Sequence, residues 1–373
     1  MSEPPLQNLV DNQFYTGAQE ASLDHEDYVY DDYVAMAGEV KIDWEKGYDI
    51  RNTIGGHIDL KSQQSSLSCV GQGWSYYYWI LQVLEMVKKY NATLEELRKT
   101  HPEEVKILSA KAVYSQIFLP NGGAYISRGG KLIVNWGAVA EKLVPSHKED
   151  GSVDEQFMRD LSWFNEEITK IAEILKGKEY RIIRARDNMD LFARAILENG
   201  GVVGGFNGQN GRGWGNSERP KPPESTSKVE WSHCVYFGAF GTDEKGKFIA
   251  TPNSWSEMDF NRGYRWKPGD PVGKGWQKLY EDYFTRDYQF DPWTYTDLLN
   301  PSEEEDNQED MPNNFAKFIK DKNSPAVGIW LPFTSPETLK NMSLMYNKEV
   351  PYKADGGIDW DKLIEGTLEL ETK

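Results

Sequence analysis

Cys69 closes the Ser-rich stretch QQSSLSC (63–69) and opens a long apolar run, and the chain holds one other cysteine, Cys234. A thiol at a helix start faces unpaired backbone N–H groups and the positive end of the helix dipole, both of which favour the nucleophilic thiolate. The position equally suits a small apolar side chain. To carry chemistry the thiol needs a base, a group to orient that base, and donors for a developing oxyanion. Of the five histidines, His25 lies in an acidic stretch, His57 follows two glycines, His101 precedes a proline and His147 sits among charges. Each of these reads as a surface residue. His233 leads directly into CVYFGAF, an apolar strand that would hold its ring rigidly. Asn253-Ser254-Trp255 follows the strand-like KFIATP. An Asn oxygen can accept from one imidazole nitrogen and leave the other facing a thiol, although Pro-Asn-Ser is also ordinary turn chemistry. Cys234 points away from His233 if the strand alternates, and reads as a buried small residue.

The elements that would position these groups follow from periodicity. Trp74, Tyr77, Tyr78, Leu81, Leu84 and Val87 recur at spacings of three and four, predicting one long helix from Cys69 to Lys89 with one buried face. Thr93 and Glu96 are spaced as a capping box. SAKAVYSQIFL (109–119) predicts a short helix, NGGAYISRGG a glycine-rich loop, and the apolar residues Phe157, Leu161, Phe164, Ile168, Ile171 and Leu175 an amphipathic helix across 153–175. YRIIRA (180–185) alternates as a strand, and MDLFARAILENG is a helix closing on glycine. Short β-type runs follow, GVVGGF, WSHCVYFGAFG and GKFIATPNSW. The first two are separated by a long loop at 207–228, a length that goes with function or disorder.

Taken in order, these residues resemble the papain-like (cathepsin-type) cysteine peptidases. Ile42-Asp43-Trp44 is similar to the family's Val-Asp-Trp, Asn121-Gly122-Gly123 to its cleft-lining loop, and Trp136-Gly137 with Val144-Pro145 to its Tyr-Gly-Ile and Tyr-Pro stretch. GGVVGGF resembles the strand before the catalytic His, CVYFGAFG the strand after it, and Asn253-Ser254-Trp255 its Asn-Ser-Trp signature. The matches run from about residue 40 to 265. The resemblance implies an α+β fold of two lobes, one helical and one resembling an antiparallel β-barrel, with a cleft between them. It implies Cys69 as nucleophile, His233 as base and acid, Asn253 as orienter and Trp255 as shield. Gln63 would be the oxyanion donor, with Gln64 the near alternative. Gly122 and Gly123 would bind substrate backbone. The sequence departs from the pattern at Ser66, where relatives keep a disulfide cysteine, and at Val70, Ser232 and Ser256. Cys69 and His233 lie farther apart than the roughly 130–150 residues usual in the family. A papain fold used as a structural or assembly module is the competing reading. Other Cys/His hydrolases and transferases place the two residues closer and lack Asn-Ser-Trp.

Composition narrows the rest. A formal charge of -17 disfavours nucleic acid and anionic membranes as partners. No run approaches 18 consecutive apolar residues, so no membrane span is expected. The N-terminus lacks the pattern of a secretory signal. With two cysteines and no disulfide framework, a reducing, cytoplasmic location is expected. The glycine-rich run at 200–215 lacks a phosphate-binding pattern, and the carboxylate runs lack that of a calcium loop, so no cofactor and no metal are expected. The organisation expected is an acidic N-terminal arm at 1–39, extended or else a short inhibitory or docking segment, then a peptidase domain at 40–290. Within that domain the helical lobe would span about 40–145 and the β lobe about 146–290. An acidic linker at 291–310 and a C-terminal appendage at 311–373 would follow. The partner expected is a peptide or protein substrate, with a protein partner conceivable for the terminal extensions.

Overall fold

The stretch expected to be an extended arm carries structure of its own. The computed structural model, which describes residues 9–10, 14–21, 28–38, 40–177, 179–256 and 258–295, forms three two-residue strands there: β1 (Leu9–Val10), β2 (Phe14–Tyr15) and β3 (Ala18–Gln19). Helix α1 (Tyr30–Ala37) follows, anchored by Tyr30, whose ring is fully buried and whose hydroxyl donates to Glu198 Oε2 at 3.1 Å. Strand β4 (Tyr48–Asp49) runs into helix α2 (Ile50–Ile54), whose first turn is capped by the Asp49 carboxylate.

The helical half is built on α3 (Cys69–Tyr90). The spacing predicts this helix but only one buried face, whereas its first turns are buried on every side. Helix α4 (Leu94–Thr100) starts on the predicted Thr93–Glu96 capping box and α5 (Ala110–Ile117) on the Ser109 hydroxyl. Gly71 lets α5 approach α3: a Cβ there would lie 2.6 Å from the Ala110 carbonyl oxygen. After β5 (Ala124–Tyr125), the second half of the expected glycine-rich loop is the start of helix α6 (Ile126–Asn135). Its glycines serve packing instead of chain reversal, since a Cβ on Gly129 would lie 2.1 Å from Trp74 Cδ1. The helix expected across 153–175 is two helices, α7 (Glu155–Arg159) and α8 (Glu166–Glu173). Between them Asp160 accepts from the Ser162 N–H, and Asn165 caps α8 by accepting from the Ile168 N–H. Leu161 and Phe164, which the periodicity puts on a buried face, are exposed.

The β half follows as β6 (Tyr180–Ile182), α9 (Met189–Asn199), β7 (Val202–Gly208), β8 (Trp231–Phe237), β9 (Ala239–Asp243), β10 (Gly246–Thr251), β11 (Gln277–Tyr280) and β12 (Gln289–Tyr295). They form two four-stranded antiparallel sheets, ordered β6-β12-β7-β8 and β11-β10-β9-β4, and no closed barrel among the described residues. The chain passes from one sheet to the other at Gly238, between β8 and β9. Elements also cross the expected boundary near 145: β4 pairs with β9, and α7 packs on α5. Strand β12 buries Trp293 and Tyr295 and so carries the sheet into residues 291–295, where linker was expected. The acidic run at 301–310 and the appendage at 311–373 lie outside the described residues. The long 207–228 loop folds back on itself, with the Lys221 N–H donating to Arg212 O at 2.8 Å, and sends a fully buried Trp214 against Trp231. No described helix is long and apolar enough to cross a membrane.

Candidate active site

Helix α3 begins without a side-chain cap; the Ser68 hydroxyl pairs instead with Ser66 Oγ at 2.7 Å. The Cys69 side chain at this end is fully buried and free of any disulfide, as is Cys234. Burial pushes the Cys69 thiol up to about 11, and hydrogen bonds from the backbone of Cys234, Gly17 and Val70 act against that rise. His233 sits on β8, also fully buried. Its Nε2 meets Asn253 Oδ1 at 2.8 Å, and the Trp255 ring stacks on it with centroids 4.4 Å apart. Burial pushes the imidazole down to about 4, opposed by the Asn253 hydrogen bond. His233 Nδ1 is buried without a hydrogen-bond partner. The sulfur therefore does not bond the ring; it bonds the backbone of Cys234, the next residue along β8. At neutral pH both groups are uncharged in this state.

The Asn253 amide has only one workable orientation. Its Nδ2 donates to Gln277 Oε1 at 2.5 Å, and Gln277 Nε2 donates to the carbonyls of Trp214 and Ser217 at 2.8 and 3.1 Å. Carbonyls only accept, so Gln277 must present its NH2 to them and its oxygen to Asn253. The Ser254 N–H donates to Asn253 Oδ1 at 2.6 Å, which fixes the same orientation from the other side. His233 Nε2 then carries a proton, and the lone pair on Nδ1 is left free as a base.

Gln63 and Gln64 turn opposite ways. Gln63 is fully buried, with Nε2 donating to the Tyr15 carbonyl at 2.7 Å and Oε1 accepting from the Ser254 hydroxyl at 2.7 Å. Gln64 instead bonds Gly151 O and the Val153 N–H. The Trp255 indole N–H also donates to Tyr15 O, at 3.2 Å. A peptide carbonyl from the chain's own N-terminal segment thus occupies the Gln63 donor.

That segment continues across the site. The Gly17 carbonyl accepts from the Ala124 N–H at 2.8 Å, β3 pairs in parallel with β5, and Gln19 Nε2 donates to Gly122 O at 3.2 Å. The Ala21 N–H then reaches Asp291 Oδ2 at 2.8 Å. Gly122 and Gly123 border the chain's own residues 17–19. The sequence reading missed this contact, and also Gln277, Trp214 and Ser254. Its available signals were the small-residue run Thr16-Gly17-Ala18 and a Trp in a loop otherwise made of turn residues. Nothing local marks Gln277.

No family model and no curated protein matches the sequence. Solved structures do. Xylellain, a cysteine protease from Xylella fastidiosa, aligns with a TM-score of 0.52 at 15% identity, over 80% of this chain and 100% of that one. The fold is papain-like. Digestive procathepsin L2 from Tenebrio molitor larval midgut gives 0.48 at 13% identity over 78% of each chain, and bromelain from Ananas comosus 0.44 at 16% identity over 68% of this chain and 99% of that one. Cys69 starts helix α3, His233 stands on β8, which packs on that helix, and Asn253 lies in the turn that follows β10. Among the described residues no cluster of His, Cys, Asp and Glu could hold a metal ion.

Proposed function

We propose that the chain is a cysteine-type peptidase acting through Cys69, His233 and Asn253, with residues 14–21 as a built-in cover of its cleft. The observation that carries this reading is the Tyr15 carbonyl on Gln63 Nε2 beside a buried thiol: the cleft accepts an extended peptide and has a donor ready for its carbonyl. When the cover leaves, water returns to both reactive groups. The desolvation that raises Cys69 and lowers His233 is relieved, and proton transfer from sulfur to the free Nδ1 becomes favourable. The thiolate attacks the substrate carbonyl, and the oxyanion is held by the Cys69 N–H and Gln63 Nε2, each such donor being worth about 3–4 kcal/mol. His233 then passes its proton to the leaving amine, and afterwards draws a proton from the water that cleaves the thioester. Asn253 keeps the ring in register and Trp255 keeps water from their hydrogen bond.

The competing reading, a papain-like fold without turnover, draws on the same covered site, in which sulfur and imidazole are unbonded and uncharged. The two readings separate on one assay. A chain truncated before Tyr28 is incubated with a peptide library beside its Cys69→Ala variant. Cleavage that depends on Cys69 supports the peptidase; identical, blank digests overturn it.

A further inference from the structure

The chain's two cysteines lie far apart in sequence and share one core. Side chains alternate along β8: Cys234 and Tyr236 join the core that holds α3, whereas Trp231, Val235 and Phe237 join the core on the other face. Cys234 therefore points toward α3 and away from the His233 ring. Its sulfur rests on Gly73, where a Cβ would lie 3.2 Å from it. Gly73 stands about one helical turn after Cys69, so both positions lie on the same face of α3. Glycine there leaves the sulfur seated on the helix backbone, with no side chain to hold it off. The Cys234 N–H in turn donates to the Cys69 sulfur. That contact puts the Cys234 Cα roughly 5 Å or less from the opposite sulfur. A disulfide joins Cα atoms roughly 4.4–6.8 Å apart, and a strand N–H seated on the sulfur brings the two residues to that order of separation.

The two sulfurs differ in access. The Gly17 backbone bonds Cys69, so departure of the cover uncovers that sulfur, while Cys234 stays between α3 and β8. Burial keeps the Cys234 thiol protonated. Oxidation therefore starts at Cys69. Its thiol and hydrogen peroxide give the sulfenic acid and water. The Cys234 sulfur then attacks the Cys69 sulfur, the S–O bond breaks, and the hydroxide leaves as water with the Cys234 proton. A dithiol reductant restores both thiols.

We propose that Cys69 and Cys234 form a reversible disulfide, which captures oxidised Cys69 before a second oxygen makes the damage permanent. This modification goes beyond the peptidase reading, since it requires only that the two sulfurs meet.

Two measurements on the full-length chain test it. The first is an equilibrium, so burial of the thiols does not bias it. The chain is unfolded in urea, refolded in glutathione buffers of graded redox ratio, and its Cys69–Cys234 disulfide counted by peptide mass spectrometry, beside a sample left in urea. If the fold brings the pair together, the effective thiol concentration is at least about tenfold higher in the folded chain than in urea. An equal or lower value in the folded chain overturns the proposal. The second exposes the native chain and its Cys234→Ala variant to hydrogen peroxide until Cys69 of the variant is consumed. The wild type collects a cross-link between the peptides holding Cys69 and Cys234, and dithiothreitol reverses it. The variant collects at least about tenfold more sulfinic acid at Cys69, which dithiothreitol does not reverse. Equal sulfinic acid in the two proteins overturns the proposal. Neither readout depends on peptide cleavage, so failure of the peptidase reading leaves both measurements decisive.

Discussion

Asn253 could offer either end of its amide to His233, and Gln277 decides which. In Gln277→Met the Asn253 Nδ2 loses its acceptor, and the amide is free to turn its donor toward Nε2. We expect kcat/KM to fall by about tenfold or more with KM little changed, and the Nε2 proton of His233 to weaken in nitrogen-resolved NMR. An unchanged rate in Gln277→Met would contradict the role. Acid acts on the same ring. Burial holds His233 at about 4 against an ordinary 6.5, so the covered state binds fewer protons than an opened one. Its stability relative to the opened state is complete above pH 6.5 and falls as pH drops toward 4, by up to about 3 kcal/mol. Cys69 works at the other end: held at about 11 against 9.0, it leaves the covered state intact below pH 9 and weakens it as pH rises toward 11. Alkylation of Cys69 in the full-length chain, corrected for its thiolate fraction, therefore accelerates between pH 6.5 and 4. A corrected rate that stays flat through this range contradicts the assignment.

At the scale of elements, the N-terminal stretch divides into a cover and a structural piece. Residues 14–21 cross the cleft, whereas α1 brings Tyr30 into the core. Removal of residues 1–27 is expected to uncover Cys69, read as faster alkylation, with little change in Tm. Removal of residues 1–39 also takes Tyr30 away, at a cost of about 3–5 kcal/mol, and lowers Tm sharply. Similar melts for the two truncations would contradict this division. Helix α6 makes a second prediction. Gly129→Val drives a side chain into Trp74 and costs about 1–3 kcal/mol or more, read as a lower urea midpoint. Periodicity reads these elements unevenly. It predicts α3 well, because a long apolar repeat has no competing local explanation. It misses the break between α7 and α8, because Asp160 and Asn165 end and restart the helix through caps that an apolar count does not register. It misreads α6, because glycines that serve close packing look like glycines that serve a turn.

Across the whole molecule, what was legible was the fold: short motifs in a fixed order pointed to the papain-like architecture that the structure has, and the structure brings His233 to Asn253 and Trp255. What was not legible joins residues distant in the chain. Gln277 reaches Asn253 from another strand, Trp214 enters from a loop, and Tyr15 meets Gln63 only once the fold has closed. No local pattern encodes such contacts, and the division into halves is blurred for the same reason, since β4 and α7 each join the half remote from their place in the chain. The central claim concerns one sulfur among two. The protein truncated before Tyr28 is treated with an epoxysuccinyl inhibitor of cysteine peptidases, and the adduct is located by peptide mass spectrometry. The account predicts a single adduct on Cys69, none on Cys234, and its loss in His233→Ala; an unlabelled Cys69, or labelling indifferent to His233, would contradict it.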